Sequence, residues 1–232
     1  IIKDFDVLKN SIELNMYSED TSIDTDFIIY EKLNKQSSDK YEFIFPRIEI
    51  SKIIENKTAL DGYFKIESAN FIHNYNTNIY ERINTNNLIF NSDPKITKNG
   101  FSNNFEFIIK NSNTNSQKSV INKEGGDHYL SGLFQLNSNY PLIKKTDKYD
   151  YFFKPKISLK LNPTHTKDLS KNEYKIDVNN IFDLNRISSN ETLEGGISVT
   201  YGSDYILNKK NNNKEFLSFK FANNLRLKKN DD

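Results

Sequence analysis

Along most of this chain apolar and polar residues take turns, the two-residue period of a strand with one apolar and one polar face. The cleanest run sets Tyr149, Tyr151, Phe153, Pro155, Ile157, Leu159 and Leu161 against Asp150, Lys154, Lys156, Ser158, Lys160 and Asn162, with Phe152 out of phase. A second sets Leu193, Ile197, Val199, Tyr201, Tyr205 and Leu207 against Glu194, Ser198, Thr200 and Asp204. A third sets Leu217, Phe219, Phe221, Leu225 and Leu227 against Ser218, Lys220, Asn224 and Arg226, and Leu60–Glu67 behaves alike. Weaker alternation fills Ser11–Tyr17, Asp26–Leu33, Tyr41–Ile53, Asn78–Asn91, Phe101–Asn111 and His128–Leu142. Within Tyr41–Ile53 the apolar phase changes at Pro46, which predicts a bulge, because proline cannot donate to the ladder. No segment carries a capped 3.6-residue period, so the pattern predicts an all-β chain of about ten strands.

Several of these strands run to about 12–15 residues, well beyond the soluble mean. They match a tilted bilayer crossing with an extension into water. Lys160 and Arg226 would be costly against lipid, so the apolar faces are expected to point outward and the polar faces into a lumen. The pattern therefore predicts an antiparallel transmembrane β-barrel segment, with residues 1–232 forming one incomplete barrel domain. Tyr41, Tyr80, Tyr140, Tyr149 and Tyr151 fall near strand ends, as an interfacial aromatic girdle would, and equally as ordinary strand propensity would. Two long polar stretches, about 112–127 and 162–192, are separated by two strands and are expected to emerge on the same side.

Composition fits this picture. Mean hydropathy is only -0.72, yet aromatics make up 13% of the chain, too many for disorder. A barrel accommodates both, because only alternate residues face lipid. The formal net charge is +1, with both signs interspersed, which gives nucleic acid no basic stripe to bind. Cysteine is absent, so thiol metal sites and internal disulfides are excluded. Roughly one residue in seven is Asn, a bias that fits an AT-rich coding sequence as well as a structural demand. No signal peptide is visible before Phe5, and Phe216–Lys228 still alternates near the far end, so both ends are expected to be cuts through a larger protein.

Catalytic constellations are missing from the pattern. His73, His128 and His165 are widely spaced, and no Ser has a His/Asp companion nearby. Glu19, Asp20, Asp24 and Asp26 cluster, but without the glycine and closing glutamate of a calcium loop they read as a polar turn. Gly125-Gly126 reads as a loop end, and Gly195-Gly196 as a bulge or tight bend within a strand. A non-enzymatic chain needing no cofactor or metal is expected. Arg186 lies among Phe182 and Leu184, so it is expected in the lumen with Glu191 or Glu194 as its counterion, or else as a solvated loop residue.

The segment Asn179–Gly202, NNIFDLNRISSNETLEGGISVTYG, resembles the LptD family of outer-membrane lipopolysaccharide-assembly barrels, in the positions Asn180, Phe182, Asn185, Arg186, Ser188, Glu194, Gly196, Tyr201 and Gly202. FKPKISLKLNP at Phe153–Pro163 and YEFIFP at Tyr41–Pro46 are similar to two further stretches of that family. Ile187, Ser189, Thr192 and the NEYKID stretch at Asn172–Asp177 depart from its usual pattern. The resemblance implies a cell outer membrane location in a Gram-negative bacterium and a non-catalytic part in placing lipopolysaccharide in the outer leaflet. It also implies three partners besides outer-membrane lipid: lipopolysaccharide, an LptE-like plug lipoprotein, and an LptA-like periplasmic bridge reached through an N-terminal domain. The periodicity alone leaves other architectures open: a porin or receptor barrel, a soluble β-sandwich adhesin module, or a secreted β-rich hydrolase.

Overall fold

The computed structural model describes residues 6–35, 37–56, 61–76, 78–120, 122–164, 166, 175–187, 189–210 and 214–228. These residues form strands β1 (Val7–Tyr17), β2 (Thr21–Lys32), β3 (Tyr41–Asn56), β4 (Gly62–Tyr75), β5 (Ile79–Ser92) and β6 (Lys95–Ile96). Further along lie β7 (Ser102–Gln117), β8 (Gly125–Asn139), β9 (Leu142–Lys145), β10 (Tyr149–Asn162), β11 (Gly196–Lys209) and β12 (Lys214–Lys228). One 3-10 turn, Ser37–Lys40, precedes β3, and no described helix is long and apolar enough to cross a membrane. Ten long strands follow one another in a single open sheet, β1-β2-β3-β4-β5-β7-β8-β10-β11-β12, with the short β6 on β7 and β9 on β10. The pairs whose register is resolved are all antiparallel, as chain neighbours joined by hairpins must be.

The chain divides into two compact units. One comprises Ile1–Glu55, Phe64–Ile89 and Ile109–Leu130; the other comprises Asn56–Tyr63, Phe90–Ile108 and Ser131–Asp232. In the first, β1 and β2 pair without interruption from Val7–Lys32 to Tyr17–Ser22. The bulge expected at Pro46 is present. Asp26 opposes Arg47 and Ile28 opposes Ile44, so one residue of β2 faces two of β3, Phe45 and Pro46. The extra residue moves the apolar phase from Phe43 and Phe45 to Ile48 and Ile50 while keeping one face apolar. In the second unit, β10 and β11 pair unbroken from Tyr149–Lys209 to Asn162–Gly196. Two bulges bend β12, one at each end of its pairing with β11.

Burial along the strands is the reverse of a soluble sheet. Among the described residues the buried side chains are eighteen polar or charged ones against eight apolar ones. In β7 the buried row reads Ile108, Lys110, Ser112, Thr114 and Ser116. In β10 it reads Ser158, Lys160 and Asn162, while Ile157 and Leu161 on the opposite face are exposed. In β12, Phe219, Phe221, Leu225 and Leu227 are all exposed.

Three expectations need correction. The polar stretch 112–127 is mostly strand: β7 continues to Gln117 and β8 begins at Gly125, leaving seven connecting residues. Small Ser and Thr side chains on the buried row carry the ladder through a stretch whose composition looks like a loop. Leu193 lies before β11, not in it. Gly195-Gly196 is the entry to β11, not a bend within it, and Gly196 opens the strand with φ of 93°. The remaining connection between β10 and β11 spans 163–195, close to the expected 162–192.

Gly202 shows how tightly β11 is held. It lies opposite Lys156 of β10 and Ala222 of β12. A Cβ there would come 2.3 Å from the Phe221 carbonyl oxygen and 3.0 Å from Ala222 Cα, both backbone atoms that can yield only if the strand moves. Gly202→Ala is expected to destabilise the sheet by about 1–3 kcal/mol, read as a lower urea midpoint in detergent. Ser203→Ala, which adds no atom, stays within about 0.5 kcal/mol of the parent.

Candidate functional site

The connection 163–195 does not stand away from the sheet. Of its described residues, 163, 164, 166, 175–187 and 189–195, the last two stretches lie back on the polar row of β8, β10, β11 and β12. Local turns prepare it: Asn180 Oδ1 accepts from the Asp177 amide (2.8 Å) and its Nδ2 donates to the Lys175 carbonyl (2.8 Å). Asn185 Nδ2 donates to the Ser189 carbonyl (3.1 Å). Such short polar side chains substitute for a ladder where the backbone turns.

The sheet then grips the turns from below. Gln135 Nε2 of β8 donates to the Phe182 carbonyl (2.7 Å). Lys160 Nζ of β10 donates to the carbonyls of Asp183 and Leu184. Asn162 Nδ2, at the end of β10, donates to the Glu194 carbonyl (2.9 Å). Lys156 Nζ lies 4.5 Å from the centre of the Phe182 ring and 2.8 Å from Asp204 Oδ2. Lys220 Nζ of β12 donates to Asn179 Oδ1 (3.0 Å).

Arg186 is the centre of this arrangement, at 2% exposure the largest of the fully buried side chains. Its Nε donates to Glu194 Oε2 and its Nη2 to Glu194 Oε1 (2.6 Å), a two-pronged pairing of guanidinium with carboxylate. Nη1 donates to Thr200 Oγ1 (3.2 Å) on β11 and Asn224 Oδ1 (2.9 Å) on β12. Nη2 also reaches Ser198 Oγ (3.4 Å). Glu194 in turn accepts from Arg226 Nη2 of β12 (2.7 Å). Burial opposes the charge on Glu194, but the two arginines outweigh it and hold its carboxyl below the usual range. Glu194, one of the two counterions expected for Arg186, pairs with it.

The other motif residues divide between this latch and the strand behind it. Asn180, Phe182, Asn185, Arg186 and Glu194 belong to the latch. Gly196 is buried at the start of β11, paired with Asn162. Tyr201 projects from the opposite, apolar face beside Phe221, with ring centres 6.4 Å apart, and Gly202 lets β12 approach. Ser188 lies outside the described residues, as does His165. Gln135, Asn162, Thr200 and Asn224 were not singled out by sequence reasoning; their only signal was position on the polar face of an alternating strand.

A second buried polar cluster occupies the first unit. His73 of β4 stands between Glu42 of β3 (Nε2–Oε1 2.8 Å) and Glu81 of β5 (Nδ1–Oε2 3.4 Å). Glu81 also accepts from Ser119 Oγ and from Asn122 Nδ2 (3.3 Å), which ties the β7–β8 connection to β5. The acidic residues of 19–26 do not converge. Asp20 accepts from Ser18 and Thr21 in a turn, and Asp24 from the Tyr17 hydroxyl (2.6 Å). Among the described residues no group of three or more His, Asp or Glu side chains is placed to hold a metal ion.

Removing one member of a buried ion pair strands the other. Arg186→Met is expected to lower the urea midpoint by the equivalent of about 3–5 kcal/mol, and the double change Arg186→Met/Glu194→Leu to recover most of that loss. The pair also carries a pH signature. The folded protein holds the Glu194 proton more weakly than the unfolded chain does, so the contribution is full above the carboxyl's ordinary value of 4.5 and is lost as pH falls through the lower folded value. Protection from hydrogen exchange across 175–195, taken relative to the intrinsic rate at each pH, is expected to fall in that acid window in the parent. In Glu194→Gln protection is already low at neutral pH and nearly flat across it.

Compared with known proteins, the chain matches no protein-family model, and no curated protein matches it at a significant level.

Proposed function

We propose that this chain is wall and lumen lining of a transmembrane β-barrel in the outer membrane of a Gram-negative bacterium, and that the barrel takes part in placing lipopolysaccharide in the outer leaflet. The observation that carries the membrane reading is the reversed burial: Lys110, Ser158, Lys160 and Asn162 are buried, while Ile157, Leu161, Phe219, Leu225 and Leu227 are exposed. Lipid accepts those apolar faces and an enclosed lumen accepts the polar ones. A soluble β-sandwich does the opposite, packing its apolar faces together and leaving the polar ones wet. The aromatic residues support the same reading. Tyr41, Tyr80, Tyr140, Tyr149 and Tyr151 all sit within two residues of a strand end.

The lipopolysaccharide part rests on the resemblance of Asn179–Gly202 to the LptD family. The two arginines that share Glu194 lend it physical sense, since they make the motif the fastening of a latch over the lumen face. In this reading the chemistry is non-covalent. The exposed faces meet outer-membrane lipid, the lumen receives an LptE-like plug lipoprotein, and an LptA-like bridge delivers lipopolysaccharide through an N-terminal periplasmic domain. A porin or receptor barrel would share the reversed burial without the latch motif.

Two measurements test the proposal. Phe221→Arg, at mid-strand on the apolar face of β12, is expected to cost about 2–4 kcal/mol near the bilayer centre and to reduce insertion, whereas Ser218→Arg on the polar face is tolerated. Equal tolerance of both, or release of the full protein from membranes by an alkaline carbonate wash, overturns the barrel. Depletion of the full protein is expected to leave newly made lipopolysaccharide behind in the inner membrane. Normal lipopolysaccharide export with altered solute uptake would make the barrel a porin or receptor.

A further inference from the structure

On the apolar face of the first unit, a sharp chemical boundary crosses four strands. Ile66 of β4, Leu88 of β5, Ile109 of β7 and Leu130 of β8 are all exposed. One step further along each strand, on the same face by the two-residue period, the side chains become Ser68 and Asn70, Asn86 and Asn84, Asn111 and Asn113, and His128. These residues are joined to one another. Asn84 Nδ2 donates to Asn70 Oδ1, Asn113 Nδ2 donates to Asn84 Oδ1 (3.3 Å), and His128 Nδ1 meets Asn113 Oδ1 (2.8 Å). That makes a continuous row from β4 to β8. Ser68 Oγ donates to Asn86 Oδ1 (2.8 Å) in the row beside it. Bonds from Asn86 to Asn84 (2.8 Å), Asn70 to Ser68 (3.3 Å) and Asn113 to Asn111 (2.6 Å) tie the two rows together.

We propose that this amide belt is the level at which the barrel wall leaves the hydrocarbon, and that its ligand is the hydroxyl-rich saccharide headgroup of a glycolipid. The inference rests on the membrane reading above. Each Asn amide offers two donors and two acceptor positions, and even the hub, Asn84, uses three of its four within the belt. The belt therefore presents open donors and acceptors side by side. Sugar hydroxyls, which both give and take hydrogen bonds, match that surface. A choline headgroup has no proton to give, and a bare phosphate would call for cations, whereas the seven belt residues include no Lys or Arg. Below the belt, Ile66, Leu88, Ile109 and Leu130 suit acyl chains.

The experiment uses the full protein in vesicles, with native cysteines removed and single nitroxide-labelled cysteines at Ile109, Asn113, Leu130 or His128. Accessibility to oxygen and to a water-soluble nickel chelate is measured by electron paramagnetic resonance, in phosphatidylcholine with or without lipopolysaccharide. The Ile109 and Leu130 labels are expected to favour oxygen in both vesicles. The Asn113 and His128 labels are expected to favour nickel in phosphatidylcholine and to lose nickel accessibility several-fold when lipopolysaccharide is present. Asn84→Leu or Asn86→Leu, each in the background of the His128 label, is expected to abolish that loss. Oxygen-rich Asn113 and His128 labels would put the belt inside the hydrocarbon and overturn the inference while leaving the barrel intact. A lipopolysaccharide effect unchanged in both leucine variants would reduce the sugar to crowding and overturn the recognition. Four water-exposed labels would overturn the inference together with the barrel.

Discussion

A guanidinium withdrawn from water has to be answered by a carboxylate, and the arrangement around Arg186 follows from that requirement. Its charge is met by Glu194 from the same connection, and its remaining donors are met by Ser198, Thr200 and Asn224 from the neighbouring strands. The pairing alone would gain little over an apolar contact of the same size. Its value here is directional: the fork of the guanidinium fixes where the connection sits, and Arg226 fixes the carboxylate from the other side. With that point settled, Lys160 and Gln135 find backbone carbonyls above them. A polar strand face is thereby covered without leaving its two most demanding cations, Arg186 and Lys160, unmatched.

The same demand is met in the first unit by different means. There the buried carboxylate of Glu81 is matched by an imidazole and two short polar side chains instead of an arginine. Both solutions place ionisable groups on the face that a soluble sheet would fill with Leu and Val. In both units rows of apolar residues, Ile66, Leu88, Ile109 and Leu130 in the first and Phe219, Phe221, Leu225 and Leu227 in the second, stand exposed on the other side of the strands. Stability of such a sheet comes from backbone pairing strand to strand, which satisfies the ladder groups of the inner strands locally, and from what the apolar rows touch.

Much of this architecture was legible in the chain. Period-two alternation located the long strands because each face has one consistent environment, and the break at Pro46 was readable because a bulge is the cheapest way to restore the phase after a missing donor. A carboxylate partner for Arg186 was readable, because a charge among apolar neighbours demands one, and Glu191 and Glu194 were the two that the sequence offered. The stretch after Asn111 was not legible. Its Ser, Thr and Asn residues favour turns in isolation, and they pair as strand only because neighbouring strands supply a ladder and a polar environment. Nor did the sequence disclose that the long connection folds back onto the sheet. That outcome depends on Gln135, Lys160, Asn162 and Asn224, four ordinary polar residues on three strands that become a cradle only when the sheet brings them side by side.

That last dependence gives the latch a property of its own. Its bonds reach Gln135 on β8, Lys160 and Asn162 on β10, Ser198 and Thr200 on β11, and Asn224 and Arg226 on β12. The bond from Arg186 to Asn224 alone closes a loop of 38 residues. Each hairpin can form from adjacent chain, but the complete set of latch bonds exists only when four strands already stand in order and in register, since a slip of one residue turns every polar side chain to the wrong face. The latch is thus a coincidence detector written in hydrogen bonds. A sheet assembled with a missing or shifted strand keeps its hairpins but cannot fasten, and the difference between a finished and a faulty product is registered in one place.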